Sequence, residues 1–219
     1  MLFLAVFCGF LAENIREHTV EHTRAKQFAL SMLSDIKADT AALNTAIGFG
    51  NKKIKAVDSL IAQIEQPKEK WKDTLIYTYS GYAGRIRPFE NNSGTYDQMK
   101  ASGSLRYFKQ DLTDLLNQYD VQAKKTKIRD DIHLNYASNL LNPFLLQVID
   151  IRSIIQIQDG ALPTHTLVFR KTDKETIALW INYATVTQST QERTVIEYNS
   201  MLAKAKQIIE ELKKEYRLK

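Results

Sequence analysis

Over residues 13–47 a stripe of mostly apolar side chains returns at alternating spacings of three and four. It runs through Ile15, His18, His22, Ala25, Ala29, Met32, Ile36, Leu43 and Ile47, with Asp39 or Thr40 as a polar interruption. That is the period of one face of a long helix with a packing seam. No Gly or Pro interrupts it. Gly48 and Gly50 then predict a bend or stop, and a second helix, over about 52–66, carries Ile54, Val57, Ile61 and Ile64 until Pro67 ends it.

The pattern weakens afterwards. DTLIYTYSGYAG, residues 73–84, predicts a helix or an irregular segment, because a lone strand at 75–79 would have no partner. Pro88 and Asn91-Asn92-Ser93-Gly94 predict a loop. Thr95 with Gln98 forms a capping-box pair, so a short helix is expected from about Tyr96, with Gly103 just past its end and Ser104 capping the next. The next helix is expected over about 105–119, its pattern continuing through Ile128 and Ile132 toward Ile157, with Pro143 kinking or dividing it and Asn142 as a break. Asp159-Gly160 and Pro163 predict a loop, and 166–170 an extended or irregular segment. Thr172 with Glu175 is a second capping-box pair and opens a helix through Trp180 and Tyr183. The last helix, about 191–216, repeats Tyr198, Leu202, Ala205, Ile209, Leu212 and Tyr216 at 4-3-4-3-4, and its natural antiparallel partner is the equally long first helix.

The start of the chain differs from all of this. Residues 1–12, MLFLAVFCGFLA, carry no charge, and a sharp polar edge follows at Glu13, Asn14, Arg16, Glu17 and His18. Twelve helical residues rise about 18 Å, whereas a bilayer core needs ~20 residues. No positive segment precedes the stretch and no A-x-A cleavage signal follows it, so it does not read as a signal peptide. Three explanations compete: the exit half of a spanning helix, a helix dipping into one leaflet, or a segment buried in protein. The unbroken pattern across Glu13 favours the first. Three acids and three Lys/Arg over 13–27 give no positive-inside signal, which leans toward a domain facing away from the cytoplasm. Cys8, the sole cysteine, reads as a small apolar side chain, and an intramolecular disulfide is impossible.

Composition narrows the class. At 44% hydrophobic and 25% charged, the 219 residues exclude wholesale disorder, and eight Gly with four Pro are few for a fold of many short strands. The net charge of +5 is dispersed. Clusters at Lys52, Lys53 and Lys55, at Lys68, Lys70 and Lys72, and at Lys124, Lys125, Lys127 and Arg129 are interleaved with acids elsewhere, so they read as solvated helix faces and no nucleic-acid partner is expected.

Candidate chemistry is sparse. His18-Thr19-Val20-Glu21-His22 matches H-x-x-E-H, in which two His at i and i+4 could grip zinc and the Glu could act as base. It lies beside the apolar stretch and no acidic third ligand is indicated, so a pair of polar seam residues is expected instead. His133 and His165 stand alone. Asp130-Asp131 and Glu210-Glu211 are adjacent acids that diverge on a helix. Trp71, Tyr77, Tyr79 and Tyr82 could line a ligand pocket or sit at a membrane interface, with core packing favoured. No catalytic, cofactor-binding or metal-ligating residue is assigned, and the chain does not read as an enzyme.

Two stretches, FLAVFCGFLAENIREHTVEHTRAKQFALSMLSDIKADTAAL and GTYDQMKASGSLRYFKQDLTDLLNQYD, carry a resemblance. The polar edge Asn14-Ile15-Arg16-Glu17, the rhythm Leu33-Ser34-Asp35-Ile36-Lys37-Ala38-Asp39, and the set Tyr96, Ser102, Gly103, Leu105 and Tyr119 resemble an uncharacterised family of single-span, membrane-anchored envelope proteins common in Bacteroidetes bacteria. Members carry a basic segment and a longer apolar run ahead of the polar edge, and this sequence has neither. The resemblance implies an inner-membrane anchor with a periplasmic helical domain and implies no activity.

The expectation is therefore an all-α, elongated helical bundle over 13–219, with long antiparallel first and last helices, held to lipid by a membrane helix at 1–12. It would act as an interaction or scaffold module of the bacterial envelope, through a protein partner or self-association. The alternative is a ligand-sensing helical domain using the aromatics between Trp71 and Tyr82 and signalling through a partner, since no output domain follows Lys219. A zinc metallopeptidase is the remote third.

Overall fold

The computed structural model describes residues 2–158 and 166–218, and within them the chain is all-α. The loop expected at Asp159-Gly160 and Pro163, and His165, lie outside the described residues. Seven α-helices follow in order: α1 (Leu2–Ile64), α2 (Asp73–Gly84), α3 (Gly94–Ser102), α4 (Gln110–Tyr136), α5 (Asn142–Val148), α6 (Ile151–Gln158) and α7 (Lys174–Tyr216). The chain packs as two compact units. One comprises Met1–Ala42, Glu90–Ala123 and Met201–Lys219, the other Leu43–Phe89 and Lys124–Ser200, so α1, α4 and α7 each contribute to both.

Helix α1 does not stop at Gly48 or Gly50 but runs to Ile64. Its buried seam is Ala25, Ala29, Met32, Ile36, Asp39, Leu43, Ala46, Gly50, Lys53, Val57, Leu60 and Ile64, an unbroken alternation of four and three, with Leu33 and Ala56 buried beside it. Gly50 is on that seam. A Cβ added there would stand 2.5 Å from Val195 Cγ2 and 2.8 Å from Gln191 Nε2, both on α7. The glycine therefore serves close approach of two helices, not a bend. The seam also begins later than expected: Ile15, His18 and His22 are exposed, and burial starts at Ala25.

Helix α7 is likewise continuous where two helices were expected. Its seam is Trp180, Ala184, Thr187, Gln191, Thr194, Tyr198, Met201, Ala205, Ile208 and Leu212, again four and three in turn. Ile208, not Ile209, is the buried member; Ile209 is half-buried. The N-terminus is capped by Asp173 rather than Thr172: its carboxylate accepts the Thr176 N–H at 2.9 Å and the Thr176 hydroxyl at 2.7 Å. The Thr95–Gln98 pair does not cap either. Helix α3 begins at Gly94, and the Thr95 hydroxyl instead reaches Asp35 Oδ2 on α1 at 2.6 Å. Gly103, at φ 69°, ends α3 as expected, in a conformation that disfavours a side chain.

In the first unit, α4 runs antiparallel to α7: Gln118 pairs with Lys204 at 3.1 Å and Lys109 approaches Glu215 at 3.9 Å. In the second unit, α1 and α7 are antiparallel, with Gly50 beside Gln191 and Val195 and the Gln188 amide donating to Ile54 O and Asp58. The bundle there encloses Val57, Leu60, Ile76, Tyr77, Leu145, Val148, Trp180 and Ala184, with α2 laid on α6. Tyr77 ties the irregular segments to it. Its hydroxyl donates to Val168 O at 2.6 Å and accepts the N–H groups of Val168 and Asp150, each at 3.1 Å.

Helix α4 buries Leu112, Leu116, Tyr119, Ala123, Thr126, Asp130 and His133, whereas Ile128 and Ile132, expected to carry its pattern, are 61% and 38% exposed. The helix also starts later than 105, after a 3₁₀ turn at Ser104–Tyr107. Before Pro143 the chain makes a π-helical turn, Ala137–Leu141, and α5 follows with Pro143 in its first turn. Ala137, Leu141 and Leu145 stay buried through this turn, and the proline's missing N–H falls in the first turn of α5, where it has no intrahelical partner to lose.

Two glycines two residues apart should respond in opposite directions. Gly48→Ala, with nothing within 4 Å of the added carbon, should stabilise by about 0.8–1 kcal/mol in urea unfolding. Gly50→Ala should destabilise by roughly 1–2 kcal/mol, overpacking outweighing the same helix gain. Stabilisation by both would contradict the close approach of α1 and α7 at Gly50.

Candidate functional site

The residues with the most distinctive chemistry occupy the helix seams, where water is excluded and each polar group needs a partner. Asp39, fully buried in the first unit, has Oδ1 2.8 Å from the Asn92 N–H and 2.7 Å from its side-chain amide, and Oδ2 2.7 Å from the Tyr119 hydroxyl. Burial, then the carboxylate's charge, raises the Tyr119 pKa and keeps it the donor.

In the second unit Asp130 is buried while its neighbour Asp131 is exposed, so the adjacent acids diverge as a helix requires. Asp130 Oδ1 accepts the Tyr198 hydroxyl at 2.7 Å and Oδ2 the Phe89 N–H at 3.2 Å; burial raises its pKa against those two bonds.

Lys53 was expected on a solvated face and is instead completely buried. Its Nζ donates to Arg85 O at 2.6 Å and stands 3.0 Å from His133 Nε2, which accepts as a neutral imidazole. Burial pulls Lys53 down to about 7. Burial, with the Lys53 ammonium second, pulls His133 down to about 3. The isolated histidine of the sequence thus has a partner on α1.

Lys53, Asp130 and Tyr198 hold one short segment, gripping the carbonyl of Arg85 and the N–H of Phe89. Between those points, Arg85 and Arg87 face a cleft of about 480 Å³ together with Lys52, Phe49 and Tyr82. Sequence reasoning passed over Arg85 and Arg87. The trace in the sequence was the alternation Arg-Ile-Arg just before Pro88.

The sites weighed from sequence fare differently. His18, Glu21 and His22 do share a cleft of about 380 Å³, with Arg106, Lys109 and Glu215. Its acids face cations: Glu21 is 3.7 Å from Arg106 and Glu215 3.9 Å from Lys109. Among the described residues no three His, Cys, Asp or Glu side chains gather to hold a metal. Of the four aromatics, Tyr77 is core, and Trp71 and Tyr79 pack against that core. The Trp71 ring meets Phe169 edge-on at 5.1 Å and its indole N–H donates to Gln66 O at 2.9 Å. Tyr82 borders the basic cleft instead.

At the start of α1, every side chain described from Leu4 to Val20 is exposed, including Leu4, Val6, Phe7, Phe10, Leu11 and Ile15. Residues 4 and 6–12 are thus not buried in the chain's own core. Among the described residues no helix is long and apolar enough to cross a membrane. Within these 219 residues the apolar stretch 1–12 is itself shorter than a spanning helix, and Glu13, Arg16 and Glu17 follow it.

Comparison of the chain with protein-family models, with curated proteins and with solved structures finds no match in any of the three.

The Lys53 site makes stability depend on pH with a definite sign. Its folded pKa, about 7, lies below the unfolded value of 10.5, so the unfolded chain binds more protons between the two. Stability should rise with pH from about 7 to 9.5, by up to ~1.4 kcal/mol per pH unit. Urea unfolding across that range should show the rise, and Lys53→Met should flatten it. A wild-type profile that is level from pH 7 to 9 would contradict burial of the amine.

Proposed function

We propose that the chain is a membrane-held helical scaffold of the bacterial envelope, with residues 1–12 seated in the hydrocarbon of a bilayer and the helical domain presented to a protein partner. The observation that carries this is the uncovered apolar end of α1. Phe7 is 49% and Phe10 66% exposed, and no charged residue occurs before Glu13. Apolar surface on all sides of a helix suits lipid better than a coiled-coil partner, which covers one stripe and leaves polar positions elsewhere. The sharp edge at Glu13, Arg16 and Glu17 supports end-on insertion, with the charges in the head-group region.

The inner membrane and the periplasmic side come from the family resemblance. The absence of a positive-inside signal after residue 12 supports that orientation. On the second unit the exposed Ile128, Ile132 and Tyr136 of α4 border an open cleft of about 380 Å³, apolar surface of the kind a scaffold offers a protein.

Flotation of the purified full chain with phosphatidylcholine vesicles tests the lipid contact. The wild type should float, and Phe7→Glu with Phe10→Glu should leave it in the soluble fraction with its helical circular-dichroism spectrum intact. A wild type that stays below the vesicles, or a double variant that floats equally well, would defeat the proposal. So would lipid-free oligomers that the double variant dissolves, which would assign the apolar end to self-association.

A further inference from the structure

The hydrogen bonds around Lys53 Nζ match one protonation state of the amine and not the other. A neutral amine has two N–H donors, and two acceptors meet it: Arg85 O at 2.6 Å and His133 Nε2 at 3.0 Å. An ammonium has three donors, and among the described residues no third acceptor reaches it.

No carboxylate offsets its charge either. From α4 the contact is His133, which stays a neutral acceptor; Asp130, three residues earlier, is engaged with the Tyr198 hydroxyl and the Phe89 N–H. From α7 the buried seam side chains Thr187, Gln191 and Thr194 are uncharged, and the titratable Tyr198 is the one bound to Asp130. From the segment after α2 the contact is a backbone carbonyl, Arg85 itself being exposed. The site thus suits an uncharged lysine, and burial draws its pKa down to about 7.

What a charged Lys53 does depends on what covers it. Residues 85–93 form no helix, so lifting Arg85 off Nζ breaks no helical ladder. Parting the buried seams of α1, α4 and α7 would cost far more, and local opening is the cheaper response to a buried charge. The four-carbon stem then lets the ammonium swing to water without moving α1.

We propose that Lys53, Arg85 O and His133 form a proton-operated latch: neutral Lys53 keeps residues 85–89 closed on α1, and its protonation frees them to open while the helices of the second unit stay folded. Opening carries Phe89 toward the surface, from a buried place with its ring 6.1 Å from that of Tyr198. The latch lies wholly in the second unit and stands whether or not residues 1–12 enter lipid.

Linkage gives the sign. Closed Lys53 titrates near 7 and a solvated lysine near 10.5, so between those values the open form binds more protons. Opening should increase as pH falls from 9 to 7, by up to about tenfold per unit, and level off below 7.

Limited trypsin cleavage of the full chain at Arg85–Ile86 tests this, with rates normalised at each pH to an unstructured arginine peptide. The normalised rate should show that rise, because cleavage tracks the population of the open form. Cleavage after Arg193, inside α7, reports unfolding of the helices and should be much slower. Sub-denaturing urea should speed the Arg193 cut and leave the Arg85 cut nearly unchanged, since a local opening exposes little surface. Lys53→Met should make the Arg85 rate independent of pH. Lys53→Gln, whose amide keeps two N–H donors and does not titrate, should do the same and keep cleavage slow. A wild-type rate level from pH 9 to 7, or a slope that persists in either variant, would overturn the latch. Equal Arg85 and Arg193 rates with the same urea dependence would overturn it too, because the segment would then open together with the helices.

Discussion

A buried lysine without a carboxylate partner is the constraint on which the second unit turns. Lys53 occupies a seam position of α1 where an apolar side chain would ordinarily stand, and it is completely buried. Removing an ammonium from water costs several kcal/mol. That cost falls when the proton is given up near neutral pH, and the Arg85 carbonyl and His133 imidazole supply hydrogen bonds. Asp130 with Tyr198, and in the first unit Asp39 with Tyr119, repeat the logic with the opposite charge. In each case a seam residue gives up hydrophobic burial to secure the backbone that connects α2 to α3: Arg85 O, Phe89 N–H or Asn92 N–H.

The consequence is specificity of register. Apolar seams of the four–three type tolerate slippage, because one Leu or Ala layer resembles the next. A layer that holds a lysine against a histidine, or an aspartate against a tyrosine hydroxyl, does not, because sliding by a turn would leave each group buried and unpaired. Gly50 adds a steric form of the same restriction, admitting Val195 and Gln191 at a distance closed to any side chain.

How much of this was legible follows from what periodicity can detect. Ala25, Ala29, Met32, Ile36 and Leu43 on α1, and Tyr198, Leu202, Ala205, Leu212 and Tyr216 on α7, announced themselves as apolar repeats and are buried. Where the seam is polar or has no side chain the pattern went silent. Gly50 then read as a breaker, Lys53 as solvent-facing, and the stretch around Thr187, ahead of the helix expected from about 191, as a gap between two helices. On α4 the apolar signal was misleading: Ile128 and Ile132 are exposed while Thr126, Asp130 and His133 are inside. The basic cleft was out of reach because its cations come from two segments brought together only by folding. The apolar end of α1 was visible at once, and the structure sharpened it from a possible core segment to an uncovered surface.

The central claim is that buried side chains on the helix seams hold the connection between α2 and α3 as firmly as the helices themselves. Amide hydrogen exchange at Phe89 and Asn92 tests it most directly, since neither residue is in a helix and each N–H is donated to a buried carboxylate. Both amides should be protected to the level of the α1 and α4 interiors. Exchange at the rate of an open loop, with the helices still protected, would contradict the account.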